Sequence, residues 1–273
     1  MSAEKDKKPH ISASQLGMMG RCPEQYRRRY IENEIIPPGI SMARGVGVHQ
    51  GAKVNFKQKK ESHEDLPEQA IIDASVAGFE AILKRGIQLT EDEESRGYDA
   101  VVGETKDTVV GLAGLFAGEV APQYQPVYVE ERHRIVVPNA THDLVAIMDL
   151  ADEFGRVVDL KTSGKSKSQR DVDGSEQLSF YALVFKALTG DLPSEVRLEV
   201  LVETPKAHKR SRQTLVGVRT SGDLIALVNR INAMLKTLEA GVFMPRTEGW
   251  WCDSRWCGYY RTCPYVNGGY RNG

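Results

Sequence analysis

The chain of 273 residues contains no apolar run near the roughly 20 residues that a membrane-spanning helix needs. Its first residues, MSAEKDKKPH, lack the apolar stretch of a secretory signal, so a cytoplasmic location is expected. No sign of charge dominates. A formal net charge of −1 excludes a uniformly basic nucleic-acid binder, although not a locally basic channel. Internal repeats and low-complexity linkers are missing too, and no composition break divides the chain, so a single domain over 1–273 is expected. Cysteine is scarce, at four residues, and in a cytoplasmic protein these are not expected to pair as disulfides. What remains is an ordinary globular composition, 41% apolar and 27% charged, on a chain long enough for a full core.

The most informative stretch runs from Asp143 to Tyr181. Leu144 to Met148 is a short apolar run ending at Asp149, as a buried strand would be. Asp152 to Arg156 holds the acidic and glycine residues of a tight turn, and Val157 to Lys161 is the returning strand. Strand side chains alternate, so Asp159 and Lys161 project to one side, and the hairpin brings Asp149 beside them. Converging carboxylates at the end of an apolar hairpin are costly unless a cation lies between them. Hard divalent ions such as Mg²⁺ or Mn²⁺ suit such oxygen ligands. The next helix carries Gln177 and Tyr181, four apart and therefore on one face.

Acid, turn, D-x-K and a following Q-x-x-x-Y helix resemble the PD-(D/E)XK nuclease superfamily, in its RecB-like branch. The resemblance implies an α/β fold: a restriction-endonuclease-like mixed sheet flanked by helices, with an added helical layer. It makes Asp149 and Asp159 metal ligands, together with the Leu160 carbonyl. Lys161 becomes the catalytic lysine, and Gln177 and Tyr181 belong to the Q-x-x-x-Y helix. The stretch GVGVHQG is similar to the family's small-residue motif ending in histidine, which adds His49 to the metal shell. Family members often carry a glutamate on the strand expected over Gln125 to Val137. Glu130 and Glu131 lie on opposite faces of that strand, and the sequence does not choose between them.

Elsewhere the chain reads as scaffold. Ser12 or Ser14 is a plausible helix cap, and Pro23 starts a second helix whose Tyr26 and Tyr30 are expected to pack against the core, with stacking on bases as the alternative. A helix is expected over Ser41 to Lys60, and two more over Ser62 to Gly86 and Thr105 to Val120, joined by an acidic segment at Glu91 to Glu94. Glu195 to Glu203 and Gln213 to Arg219 read as paired strands around a basic turn, Lys206 to Arg212. Ser221 to Ala240 is an amphipathic helix. Basic residues also cluster at Arg27 to Arg29, Lys57 to Lys60 and Lys165 to Arg170, either as solvated faces or as phosphate contacts.

Cys252, Cys257 and Cys263 crowd into twelve residues, with Cys22 far upstream. Four thiolates can hold zinc or a [4Fe–4S] cluster. Iron–sulfur nucleases of the RecB-like branch, including AddB subunits and CRISPR-associated adaptation exonucleases, place one cysteine before the nuclease core and three after it. The resemblance therefore favours a [4Fe–4S] clasp of residue 22 and residues 250–265 over zinc. One departure is the four-residue gap between Cys252 and Cys257, where two residues are usual. Trp250, Trp251, Trp256, Tyr259 and Tyr260 are expected to pack around the cluster, with stacking of some of these rings on single-stranded bases as the alternative.

The function implied is a Mg²⁺- or Mn²⁺-dependent DNA exonuclease acting on single-stranded DNA or DNA ends, with homo-oligomerisation or a protein complex open. One alternative is the nuclease subunit of a recombination or CRISPR-adaptation (antiviral defense) complex, with little activity alone. Another is a DNA-binding protein that has lost catalysis.

Overall fold

A computed structural model describes residues 8–138, 140–205 and 207–266. Lys206 of the basic turn and residues 1–7 of the polar N-terminus lie outside the described residues.

Strand β1 (His10–Ile11) leads into α1 (Ala13–Arg21) and α2 (Pro23–Tyr26), which continues as a π-helical turn over Arg27–Ile31. Helices α3 (Ile40–Ser62), α4 (Glu68–Leu83), α5 (Glu91–Arg96) and α6 (Tyr98–Leu115) follow, the last ending in a π-helical turn at Phe116–Val120. Strands β2 (Pro126–Ile135), β3 (Asp143–Asp152) and β4 (Arg156–Ser163) precede α7 (Gln169–Asp173) and α8 (Glu176–Thr189). Strands β5 (Glu195–Glu203) and β6 (Arg210–Gly217) and helix α9 (Ser221–Ala240) complete the order. The sheet is mixed, in the order β1-β3-β4-β5-β6 with β2 also on β3. β3 and β4 are antiparallel, β4 and β5 parallel, and β5 and β6 antiparallel. This is the expected α/β architecture of a mixed sheet flanked by helices.

Contacts divide the chain into two compact units. One comprises Met1–Ile36, His133–Ala146 and Ser221–Gly273; the other comprises Pro37–Arg132 and Ile147–Thr220. Each is assembled from separated stretches, which is why no composition break marks the division. They are called here the cysteine unit and the sheet unit.

In the sheet unit α3, α4 and α6 form the helical layer. Their core joins Val48, Phe56, Phe79, Leu112 and Phe116 to Leu150, Val158, Leu160 and Leu201 from the strands. Glycine lets α3 and α4 lie this close: a Cβ on Gly47 would sit 2.9 Å from Phe79 Cβ, and one on Gly51 2.0 Å from Ser75 Oγ. Several boundaries differ from the sequence expectation. The acidic segment is itself a helix, α5, started by a Thr90–Glu93 capping box, and α6 begins at Tyr98 rather than Thr105. β6 begins at Arg210, so Arg210 and Arg212 are strand residues rather than part of a basic turn.

In the cysteine unit Ser12 caps α1 through a capping box with Gln15. Pro23 occupies the first turn of α2, and the Tyr26 ring lies 5.0 Å from Tyr30 and stacks on Phe243 at 6.4 Å. The C-terminal tail is tied back to these helices. Tyr259 Oη donates to the Glu34 carbonyl at 2.7 Å, and Arg28 reaches Thr262 Oγ1 at 2.6 Å.

Candidate active site

The site lies where β3 and β4 part. The turn between them closes with Gly155 at φ +72, a conformation that favours glycine, and Leu150 pairs with Val158. Asp149 and Asp159 follow directly on this pair. Asp149 Oδ2 accepts the Leu160 N–H at 3.0 Å, which fixes that carboxylate against the neighbouring strand. Asp159 is almost fully buried, and Lys161 Nζ, two residues along the same strand, donates to its Oδ1 at 2.8 Å. Lys161 also donates to Gln177 Oε1 at 3.0 Å, and Gln177 Nε2 donates to Tyr181 Oη at 2.7 Å. The helical spacing of four therefore does a specific job: Tyr181 orients the amide of Gln177, and Gln177 holds the ammonium of Lys161.

Helix α3 brings His49 to the same place, with Nδ1 3.6 Å from Asp149 Oδ2 and 3.7 Å from Glu130 Oε1. The structure separates the two glutamates left open by the sequence. Glu130 turns toward His49 and Asp149, whereas Glu131 is paired with Lys60 at 2.9 Å. Glu130 reaches its position through φ +49, which is uncommon for a residue other than glycine and is characteristic of functional sites. One donor atom each from His49, Glu130 and Asp149 lies within 4.8 Å of the others, close enough for one metal ion. Asp159 stands outside this trio, with one oxygen already engaged by Lys161. Lys53, one turn beyond His49, escaped the sequence reading. Its Nζ is 3.8 Å from Glu130 Oε2, and the i, i+4 spacing from His49 was the available signal. His49, Lys53, Glu130 and Asp149 line a recess of about 340 Å³ that continues to Tyr124 and Glu199.

Electrostatics follow from this crowding. Burial, with the nearby Asp159 and Glu130, pushes the Asp149 carboxyl up to about 7 against the pull of His49 and Lys161. Burial opposes the imidazolium of His49, yet Glu130 and Asp149 outweigh it and raise its pKa. Lys161 behaves likewise: burial works against its charge, and Asp159 and Asp149 restore and raise it. Tyr181 is held neutral by burial and by the same two acids.

Several basic stretches are spent on internal pairs. Arg212 makes a bidentate bond to the fully buried Glu199, at 2.9 and 2.7 Å, and Arg210 bonds Glu203 at 2.6 Å. Arg27 pairs with Glu24 and Glu32, Arg28 with Glu34, and Lys59 with Asp65. These are structural cations, so they leave the candidate phosphate contacts.

In the cysteine unit Cys22, Cys252, Cys257 and Cys263 line one recess of about 360 Å³, so the cysteine before the nuclease core does meet the three after it. Gln25 Nε2 donates to Cys257 Sγ at 3.0 Å, and the Arg246 N–H approaches Cys22 Sγ at 3.5 Å. Burial raises the thiol pKa of Cys257, and burial with the neighbouring cysteines raises that of Cys252. Trp251, Tyr259 and Tyr260 line this recess as expected. Trp250 and Trp256 depart from expectation, being 68% and 62% exposed. Trp251 takes the inner position because Gly249 leaves room for its ring, and a Cβ there would sit 2.4 Å from it.

A mixed sheet between helices, with Asp149, Asp159 and Lys161 at the parting of β3 and β4, defines the restriction-endonuclease-like class. A sequence profile of the PD-(D/E)XK nuclease superfamily matches residues 10–264, and the chain belongs to that superfamily. A structure of a protein named as a candidate exonuclease from Eubacterium rectale covers 93% of this chain and 90% of its own, with TM-score 0.52 and 11% identity. Likeness at that identity speaks for the fold. A structure named SSO0001 covers 96% of this chain and 89% of its own, at TM-score 0.42 and 15% identity. No curated protein matches the sequence. Among the described residues no helix is long and apolar enough to cross a membrane.

Proposed function

We propose that the protein is a Mg²⁺- or Mn²⁺-dependent deoxyribonuclease of the cytoplasm, an exonuclease acting on single-stranded DNA or DNA ends. The observation that carries this reading is the convergence of His49, Glu130 and Asp149 within 4.8 Å, beside a Lys161 held by Asp159 and Gln177. Two carboxylates and an imidazole suit a hard or borderline divalent ion. His49, Glu130 and Asp149 form the core of the ligand set, and the second oxygen of Asp159 and the Leu160 carbonyl complete it. A bound ion supplies an activated water and charge to offset the phosphate oxygens. The protein's own work is orientation. Lys161 meets the attacking water or the developing oxyanion, and the Gln177–Tyr181 pair fixes where its ammonium points.

The cysteine recess supports a second assignment, a structural [4Fe–4S] cluster. Cys22, Cys252, Cys257 and Cys263 line one recess, and one cysteine before the nuclease core with three after it is the arrangement of the iron–sulfur nucleases that the sequence resembles.

The test is degradation of end-labelled single- and double-stranded DNA with Mg²⁺ or Mn²⁺, comparing wild type with Lys161→Ala. The variant is expected to lose activity by about a hundredfold or more. Wild type that leaves both substrates intact would sink the free-standing nuclease and favour a subunit that needs partners.

A further inference from the structure

The cysteine unit differs from the sheet unit in charge. Its three stretches carry 14 Lys and Arg against 10 Asp and Glu, a net of +4, so the total of −1 leaves −5 on the sheet unit. This basic unit also presents a cluster of aromatic rings to solvent. Trp251 is the anchor: its indole N–H donates to the Arg246 carbonyl at 3.2 Å, and the Arg246 guanidinium lies 5.6 Å from its ring centre. Trp250 is set edge-on to Trp251 at 6.0 Å, and Trp256 edge-on to Trp250 at 5.6 Å. Short turns hold the rings in place, with Cys252 N–H on the Gly249 carbonyl at 3.0 Å and Cys257 N–H on the Asp253 carbonyl at 2.9 Å.

Two tryptophans that are more than three-fifths exposed, on a segment braced from behind, are costly as plain surface. Exposed Arg246 lies by Trp251 and also donates to the Gly20 carbonyl, and exposed Arg255, next to Trp256 in sequence, is held at the surface in a pair with Asp253 that a phosphate would have to replace. Aromatic faces alternating with arginines are the chemistry that grips unpaired bases and their phosphates without sequence preference. We infer that Trp250 and Trp256 form a stacking platform for single-stranded DNA. A protein surface could cover apolar rings as well, but the positive charge of this unit and the arginines among the rings favour a polyanion. The inference rests on the proposed function for its choice of DNA, and it adds a binding site that cleavage chemistry does not require.

The experiment measures affinity by fluorescence anisotropy of labelled oligothymidine and of a duplex of equal length, without added divalent metal. Trp250→Ala and Trp256→Ala are expected to weaken single-strand binding by roughly tenfold each. Trp250→Phe, which keeps an aromatic face, should recover most of the loss, and duplex affinity should change little. Alanine variants that bind the single strand as wild type does would overturn the platform. So would sedimentation showing a wild-type dimer that Trp250→Ala dissociates with strand affinity intact, since the rings would then face a second copy. The nuclease reading fails separately. Tryptophan-dependent binding by a protein that never cuts keeps the platform alone, and cutting with tryptophan-independent affinity keeps the nuclease alone.

Discussion

The two units gather acidic groups by opposite means. In the sheet unit each of the three carboxylates has a protein cation within 4 Å: Glu130 has His49 and Lys53, Asp149 has His49, and Asp159 has Lys161. In the cysteine unit Gln25 and a backbone N–H donate to the sulfurs of Cys257 and Cys22, and burial favours the protonated thiols of Cys257 and Cys252. The carboxylate site is thus charge-balanced by its own side chains, while the thiols become ligands only by giving up protons to a metal group. Metal removal should therefore affect the two units unequally. Both units bury apolar side chains, and the proposed cluster would add its binding energy to the cysteine unit alone.

The largest expected effect follows from that difference. Cys257→Ala removes one of the four proposed cluster ligands, and for a structural metal site binding energy would be folding energy. Purified variant should lose visible absorbance and bound iron and sulfide. Hydrogen exchange should quicken most in α1, α2 and residues 243–266, while α3 and β4 keep their protection. Uniform quickening across both units would show that the cysteine unit has no special dependence on its thiols.

A smaller and graded effect belongs to the sheet unit. Asp149, at about 7, and His49 both keep protons in the folded protein at pH values where the unfolded chain has released them. Their contribution to metal-free stability is present at low pH and is lost as pH rises, from about 4 through 7 for Asp149 and through its raised pKa for His49. A divalent ion needs both groups deprotonated, so Mn²⁺ should bind more tightly across the same range, by up to about tenfold per pH unit for each proton displaced. Calorimetric titration on either side of pH 7 measures this. Asp149→Asn should flatten the dependence, and a wild-type affinity indifferent to pH would remove Asp149 from the ligand set.

The same contrast explains what could be read from sequence. That Asp149, Asp159 and Lys161 converge was legible because strand alternation and a short turn leave little freedom, and that Gln177 and Tyr181 share a face because helical spacing is fixed. Glu130 was undecided because its selection depends on one left-handed backbone angle, which no alternation rule supplies. Arg210 and Arg212 looked like a basic turn because their partners, Glu203 and Glu199, lie on the preceding strand and are paired only by sheet register. The division into units was hidden because both are discontinuous. Trp250 and Trp256 were expected around the cluster, with base stacking as the alternative, because their place beside the cysteines does not tell which ring faces inward; Trp251 does, over Gly249.

The smallest prediction asks how far the cysteine unit depends on local structure rather than on its thiols. Ser12 Oγ accepts the Gln15 N–H at 3.3 Å while Gln15 Oε1 accepts the Ser12 N–H at 2.9 Å, a reciprocal cap at the start of α1. Ser12→Ala removes one of these bonds and should cost about 1 kcal/mol. In native-state hydrogen exchange that loss should appear in α1, with nothing comparable in α3 or α8. A loss far above this in the metal-loaded protein would mean that α1 nucleates the unit and that the thiols only follow. A loss near zero would mean that the clasp through Cys22 already fixes α1, making the cap redundant. The expected middle value corresponds to a helix that forms on its own cap and is then tied down at Cys22, one residue beyond its last turn.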